Sequence, residues 1–218
     1  MNMNLIGYKF YDKAKTRRSA DRLFMLPGET VSAFTKRCEQ LGYEAVDGRN
    51  VIDKYKNVSD EIIKGDLNSR RFNFGVLLQN ISGDFNKAVA IRNNNAFCGK
   101  EVILFGDKQY DRRATVGTHV YENLRHVRCI DDLSQVIQDY DVVIGIDNVE
   151  NAVPIQSYRF NHDINTLFIF GEEGIGIAGE LLEMCDAVLY IPQYGSVRSL
   201  NISCASAIAM YEYTRNFY

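Results

Sequence analysis

Three segments of this chain carry residues able to hold or activate a ligand, each where an apolar run gives way to a loop. In the first, Asn80 is followed six positions on by Asn86 and after another six by Arg92. Carboxamides orient a partner through paired donor and acceptor atoms, and a guanidinium stabilises negative charge developing on an oxygen. In the second, Phe168-Ile169-Phe170 runs into Gly171-Glu172-Glu173-Gly174-Ile175-Gly176, whose glycines let backbone groups approach a ligand closely. In the third, Tyr190-Ile191-Pro192 leads through Gly195 to Ser199-Leu200-Asn201, and Ser199 or Asn201 is suited to cap the helix of small residues that follows. Each segment alone also has a plain structural explanation: a surface ion pair for Arg92, a tight turn for the glycines, a capped helix for Ser199 and Asn201. The glycine order G-x-x-G-x-G, with two carboxylates inside it, argues against a dinucleotide-binding oxidoreductase, whose fingerprint is G-x-G-x-x-G beside a pyrophosphate.

Hydrophobic periodicity supplies the elements that must position these loops. Apolar runs at 74–78, 101–105, 141–146, 167–170 and 187–191 read as buried strands. Helical stretches are expected at 85–97, 130–140, 179–184 and 200–213. Strands alternating with helices imply an α/β fold with a parallel sheet flanked by helices, whose ligand loops lie at the carboxyl ends of the strands. Before residue 74 the texture differs. A helix is expected from Asp12 to Leu26, another from a Thr30 cap through Val31, Phe34, Cys38 and Leu41 to a stop at Gly42, and a short one around Val58, Ile62, Ile63 and Leu67. The expected division is a short, mostly helical extension over 1–73 and a main domain over 74–218.

Taken in order, the three segments resemble the three motifs of the SpoU family of RNA ribose methyltransferases, within the SPOUT class. Asn80, Asn86, Arg92 and Ala96-Phe97 resemble the first motif. Phe170-Gly171, Glu173-Gly174 and Gly176 resemble the second. Ile191-Pro192, Gly195, Val197, Ser199-Leu200-Asn201-Ile202-Ser203 and Ala205 resemble the third. The resemblance covers about residues 74–213. It implies a deep trefoil knot at the C-terminal end, a homodimer with the first-motif helix and the closing helix at its interface, and transfer of a methyl group from S-adenosylmethionine to a ribose 2'-hydroxyl. It implies catalytic roles for Arg92, Asn86, Glu173, Ser199 and Asn201. It assigns the cofactor to Phe170, Gly171, Gly174, Gly176, Ile191, Ser199, Leu200 and Asn201. Where the family carries Pro before the Asn, Gly two residues after it, and Thr-Ala-Asp after the Arg, this chain has Asp84-Phe85, Ala88 and Asn93-Asn94-Asn95.

Charge distribution bears on the RNA. The 218 residues carry a net charge of −3, yet residues 1–75 hold 14 Lys and Arg against 10 Asp and Glu, leaving 11 against 18 for the rest. Lys9, Lys13, Lys15, Arg17, Arg18 and Arg22 form the cluster expected to neutralise phosphates, with a solvated helix face as the alternative. His119, after Gly117-Thr118, is a further candidate RNA contact. Five scattered cysteines and three histidines show no metal-ligand spacing, so no metal is expected. No run reaches the roughly 18 apolar residues of a membrane span, and Met1 to Phe10 lacks the pattern of a secretory signal; a soluble, cytoplasmic protein is expected. Transfer RNA is favoured over ribosomal RNA as substrate, because the N-terminal region is short. The alternatives are a ribosomal RNA 2'-O-methyltransferase and a SpoU fold that binds RNA without catalysis.

Overall fold

A computed structural model of the chain describes residues 8–12, 30–56, 58–79, 83–172, 174–215 and 217. The chain forms two compact units, 1–58 and 59–218. In the first, β1 (Tyr8–Asp12) pairs antiparallel with β2 (Tyr43–Asp47). Asp12 therefore ends a strand instead of starting a helix; the rest of that expected helix lies outside the described residues. Between the strands, α1 (Val31–Gln40) starts at the expected cap, where Thr30 Oγ1 accepts the Ala33 N–H at 3.2 Å. Phe34 and Cys38 are buried. Leu41, the last residue of the expected stripe, is exposed, because the helix ends at Gln40 and Gly42 turns the chain with φ +76°.

The second unit contains α2 (Asp60–Asn68), β3 (Phe72–Gln79), α3 (Asp84–Ala96), β4 (Gly99–Phe105), α4 (Arg112–Thr115), β5 (Leu124–Val127) and α5 (Ile130–Ile137). It continues with β6 (Val142–Ile146), β7 (Val153–Pro154), β8 (Thr166–Phe170), α6 (Gly179–Leu182), β9 (Ala187–Tyr190) and α7 (Ile202–Thr214). Its seven strands lie in the order β5-β4-β3-β8-β6-β9-β7, and every neighbouring pair is parallel. Side chains alternate across the pleat. Phe74, Val76, Leu78, Phe168 and Phe170 pack on one face with Ala90 and Ile91 of α3 and Ala209, Met210 and Tyr213 of α7. Leu77, Leu167 and Ile169 pack on the other with Leu133 of α5 and Leu181 of α6. A sheet covered on both faces needs apolar residues in both registers, which is why its central strands read as unbroken apolar runs.

The α/β parallel sheet follows the expectation, but β5 and β7 do not appear in the periodicity. β5 is an edge strand that carries Arg125 and His126, and its pairing of Val102 to Phe105 with Leu124 to Val127 makes it a strand. The division of the chain also falls after residue 58, ahead of the expected 73. Lys64 on α2 donates to the Glu122 carbonyl at 3.0 Å. Arg71 donates to the carbonyls of Gly99 and Tyr121, each at 2.7 Å, and pairs with the Glu122 carboxylate at 3.2 Å. These bonds tie α2 and Arg71 into the sheet unit.

The Glu122 carboxylate is fully buried and also accepts from Asn94 Nδ2 at 2.6 Å and Asn95 Nδ2 at 2.7 Å. Removing it leaves a buried guanidinium without its counter-charge. Glu122→Ala is expected to lower the unfolding free energy by about 3–5 kcal/mol. Urea unfolding measures this, and a midpoint unchanged from the parent would contradict it. Among the described residues no helix is long and apolar enough to cross a membrane, and no group of three or more His, Cys, Asp or Glu could hold a metal ion.

Candidate active site

β6, β8 and β9 are parallel neighbours, so the loops that leave their carboxyl ends meet at one edge of the sheet. There, together with the turn before α7, they enclose a cavity of about 550 Å³, within the usual range for a small-molecule site. Asp147 and Asn148 come from the first loop, Gly171, Gly174 and Gly176 from the second, and Ile191 and Gln193 from the third. Ser199 and Leu200 close the opposite wall, over apolar surface from Phe170 and Ile202. Seven of the eight residues expected to bind the cofactor thus line one cavity. The eighth, Asn201, stands beside it as the cap of α7.

The glycine loop keeps its shape for identifiable reasons. Glu172 and Gly176 exchange two backbone hydrogen bonds, of 2.9 and 3.1 Å, which pinch it shut at the base. A Cβ on Gly171 would overlap the backbone of Gly176 and Ile177, so only glycine fits there. Gly176 has φ +76° and faces the Asp147 carboxylate, so it too resists a side chain. A Cβ on Gly174, by contrast, would meet open space.

Two residues absent from the expected set hold this loop in place. Asp147 Oδ2 accepts from Ile177 N at 2.8 Å and its Oδ1 from Asn148 N at 2.7 Å, while buried Gln79 accepts from Ala178 N through Oε1 at 2.8 Å. Their visible signal is a polar residue directly after a buried strand at 146, or closing one at 79. Asn148 Nδ2 also donates to the Arg198 carbonyl at 3.2 Å, which joins the loop after β6 to the turn before α7.

Asn201 joins the cavity to the first motif. Its Oδ1 accepts from Ser203 N at 2.9 Å, so Asn201 and not Ser199 caps α7, and its Nδ2 donates to Asn86 Oδ1 at 3.0 Å. Asn86 lies in the first turn of α3, whose helix starts at Asp84, one residue before the expected start at Phe85. Phe85 and Arg92 share a helix side, as their spacing predicts. That side is exposed, because the buried side of α3 is formed by Lys87, Ala88, Ala90, Ile91 and Asn94. Arg92 is therefore presented outward, and it does not line the cavity.

The three asparagines that depart from the family pattern have structural partners. Asn93 donates to the Ser203 carbonyl at 2.8 Å and to Ser206 Oγ at 3.1 Å, fastening α3 to α7, while Asn94 and Asn95 hold Glu122. Ala209 of α7 packs into the core under the sheet. His119 is half-buried, its Nδ1 lies 2.7 Å from Thr115 Oγ1, and its ring meets Tyr110 edge-on. Burial, with the nearby Arg112 charge, pushes its pKa down, which favours the neutral ring. Glu173 lies outside the described residues, as do Lys13, Lys15, Arg17, Arg18 and Arg22; Lys9 lies in β1.

Comparison with known proteins accords with this arrangement. The model of the SpoU rRNA Methylase family matches residues 73–211. The chain is 38% identical over 73 residues to the 23S rRNA (guanosine-2'-O-)-methyltransferase RlmB of Acinetobacter baylyi, covering 34% of this chain and 29% of that protein. It is 38% identical over 66 residues to the tRNA (guanosine(18)-2'-O)-methyltransferase of Escherichia coli, covering 30% and 28%. The matched region thus spans under a third of the length of these relatives. Among solved structures, the TrmH/SpoU tRNA modifying enzyme of A. aeolicus superposes with a TM-score of 0.63 at 21% identity, covering 72% of this chain and 81% of that one. The AdoMet-bound rRNA methyltransferase of Sinorhizobium meliloti superposes at 0.62 with 22% identity, covering 72% and 60%. Those likenesses establish the fold, and the family match spans well over half of the 218 residues: this chain belongs to the SpoU rRNA methylase family.

Proposed function

We propose that this protein transfers a methyl group from S-adenosylmethionine to a ribose 2'-hydroxyl of RNA. The observation that carries this is a single cavity shared by the Gly171 loop and the Ser199-Leu200 turn, joined to the first-motif helix by the bond from Asn201 to Asn86. The cavity suits the cofactor. Phe170, Ile191, Leu200 and Ile202 offer apolar surface to a purine, and Gly171, Gly174 and Gly176 bring backbone polar groups to its rim. Bound there, S-adenosylmethionine supplies an electrophilic methyl group on a positively charged sulfur.

The remaining chemistry belongs to the chain's own residues. Arg92, presented outward on α3, meets the ribose and stabilises negative charge on the 2'-oxygen as its proton passes to solvent water or to a neighbouring phosphate of the RNA. A guanidinium is a poor base, so we assign it an electrostatic role. Asn86, fixed by Asn201, orients the ribose or Arg92. Glu173 of the second motif is assigned a catalytic role, and Ser199 shapes the donor wall. Holding both reactants in one geometry replaces a bimolecular encounter with an effectively unimolecular one.

In this proposal the catalytic motifs of 74–218 belong to a domain that α2 and Arg71 complete, with a trefoil knot around the loops after β8 and β9, and the segment before α2 is an RNA-binding extension in which Lys9, Lys13, Lys15, Arg17, Arg18 and Arg22 contact phosphates. His119 adds a neutral hydrogen-bonding contact. The active form is a cytoplasmic homodimer. Exposed Phe85 on α3 and exposed Ile208 and Tyr211 on α7 support this, because adjacent helices with outward apolar groups bury them by pairing. We favour tRNA as the substrate.

The test is calorimetric titration with S-adenosylmethionine followed by transfer of its labelled methyl group to bulk tRNA and to ribosomal RNA. Micromolar binding and alkali-resistant label in tRNA are expected, on the order of −8 kcal/mol for the binding step. Binding without transfer to either RNA would favour a non-catalytic RNA-binding role, and absence of binding would sink the proposal.

A further inference from the structure

We infer that Gln193 is a specificity residue for the adenine end of the methyl donor, its side-chain oxygen accepting a hydrogen bond from the exocyclic amino group. This rests on the cofactor assignment above. Gln193 lies in the loop after β9 and lines the cavity. Its Oε1 is buried from solvent and has no hydrogen-bond partner. Buried polar atoms in folded proteins are almost always paired, so this orphan acceptor, on a residue that lines the cavity, gains its partner when the side chain turns toward a ligand donor there. Among the described residues, the other buried side-chain oxygens without a partner are on Asn94, in the Glu122 cluster, and on Tyr213, under the sheet; neither residue lines the cavity.

The chemistry of the acceptor selects among the donor's groups. S-adenosylmethionine presents a charged ammonium, two ribose hydroxyls and a neutral aromatic amine. An ammonium is best met by a carboxylate or by water, and Glu172 at the cavity offers a carboxylate. A neutral carboxamide oxygen sealed from solvent fits a neutral amine on a flat apolar ring, the more so because Ile191, two residues earlier, contributes apolar wall to the same cavity.

The test compares S-adenosylhomocysteine with its purine-riboside counterpart, which lacks the amino group, by calorimetry on the full chain. The parent protein is expected to bind the counterpart about tenfold to a hundredfold more weakly, the range for one buried hydrogen bond. In Gln193→Leu that preference is expected to fall to less than about threefold, mainly through weaker binding of S-adenosylhomocysteine. If Gln193→Leu weakens both ligands equally, Gln193 meets another group or only shapes the wall, and the inference is overturned. Equal binding of the two ligands by the parent overturns it too and needs no variant to fold. If the parent binds neither ligand, the cofactor assignment fails and this inference with it.

Discussion

Arg92→Ala is expected to reduce methyl transfer about a hundredfold to a thousandfold, the scale on which removal of a positioned charge-stabilising donor acts, while S-adenosylmethionine binding changes by no more than a few-fold. The separation follows from where Arg92 sits. It is on the exposed side of α3 and contributes nothing to the cavity lining, so truncating it leaves the pocket walls intact. Exposure also means that the change leaves no buried group unpaired, and stability should hold. Single-turnover transfer of labelled methyl reads the loss, and calorimetry reads the binding. A variant that loses cofactor affinity instead would place Arg92 in the pocket. One that keeps full activity would remove it from the chemistry.

Gly171→Ala is expected to weaken S-adenosylmethionine binding by about a hundredfold or more, whereas Gly174→Ala, three residues away in the same loop, should stay within about twofold. A methyl at 171 collides with the backbone of Gly176 and Ile177, and backbone cannot rotate aside as a flexible side chain can. Relieving that overlap must open the pinch made by the paired hydrogen bonds of Glu172 and Gly176, and with it the strand-to-loop junction at the cavity rim. Position 174 has open space around the added carbon and no positive φ, so alanine costs nothing sterically. Both variants can be titrated side by side. If Gly174→Ala proves as damaging as Gly171→Ala, the glycines are there to let the cofactor approach and not to let the loop close.

The two positions separate what pattern shows from what packing shows. Three glycines in a G-x-x-G-x-G run are equivalent in sequence, since each simply lacks a side chain. Only the folded loop gives them different reasons: backbone overlap at 171, positive φ beside Asp147 at 176, and open space at 174. Asp147 and Gln79 illustrate the same limit. Each is an ordinary polar residue at a strand end until its partner, the Ile177 N–H or the Ala178 N–H, is brought to it from far along the chain. Asn93, Asn94 and Asn95 look like a break in the first motif and prove to be fastenings, to α7 and to Glu122.

By itself, the sequence determined the central strands and a flanking helix such as α5, because burial on both faces demands unbroken apolar runs and a half-buried helix demands a 3.6-residue stripe. It also singled out the three segments that meet at or beside one cavity. The tertiary structure alone decided the strand order that lays β8 between β3 and β6, the edge strand β5 that exists only through pairing with β4, and the outward face of Arg92. It alone decided the bond from Asn201 to Asn86 that makes separate motifs one site. The physical reason is common to all of these: local patterns fix what a segment buries, while partners distant along the chain, such as Leu124 for Val102 or Asn201 for Asn86, are chosen only when the sheet is assembled.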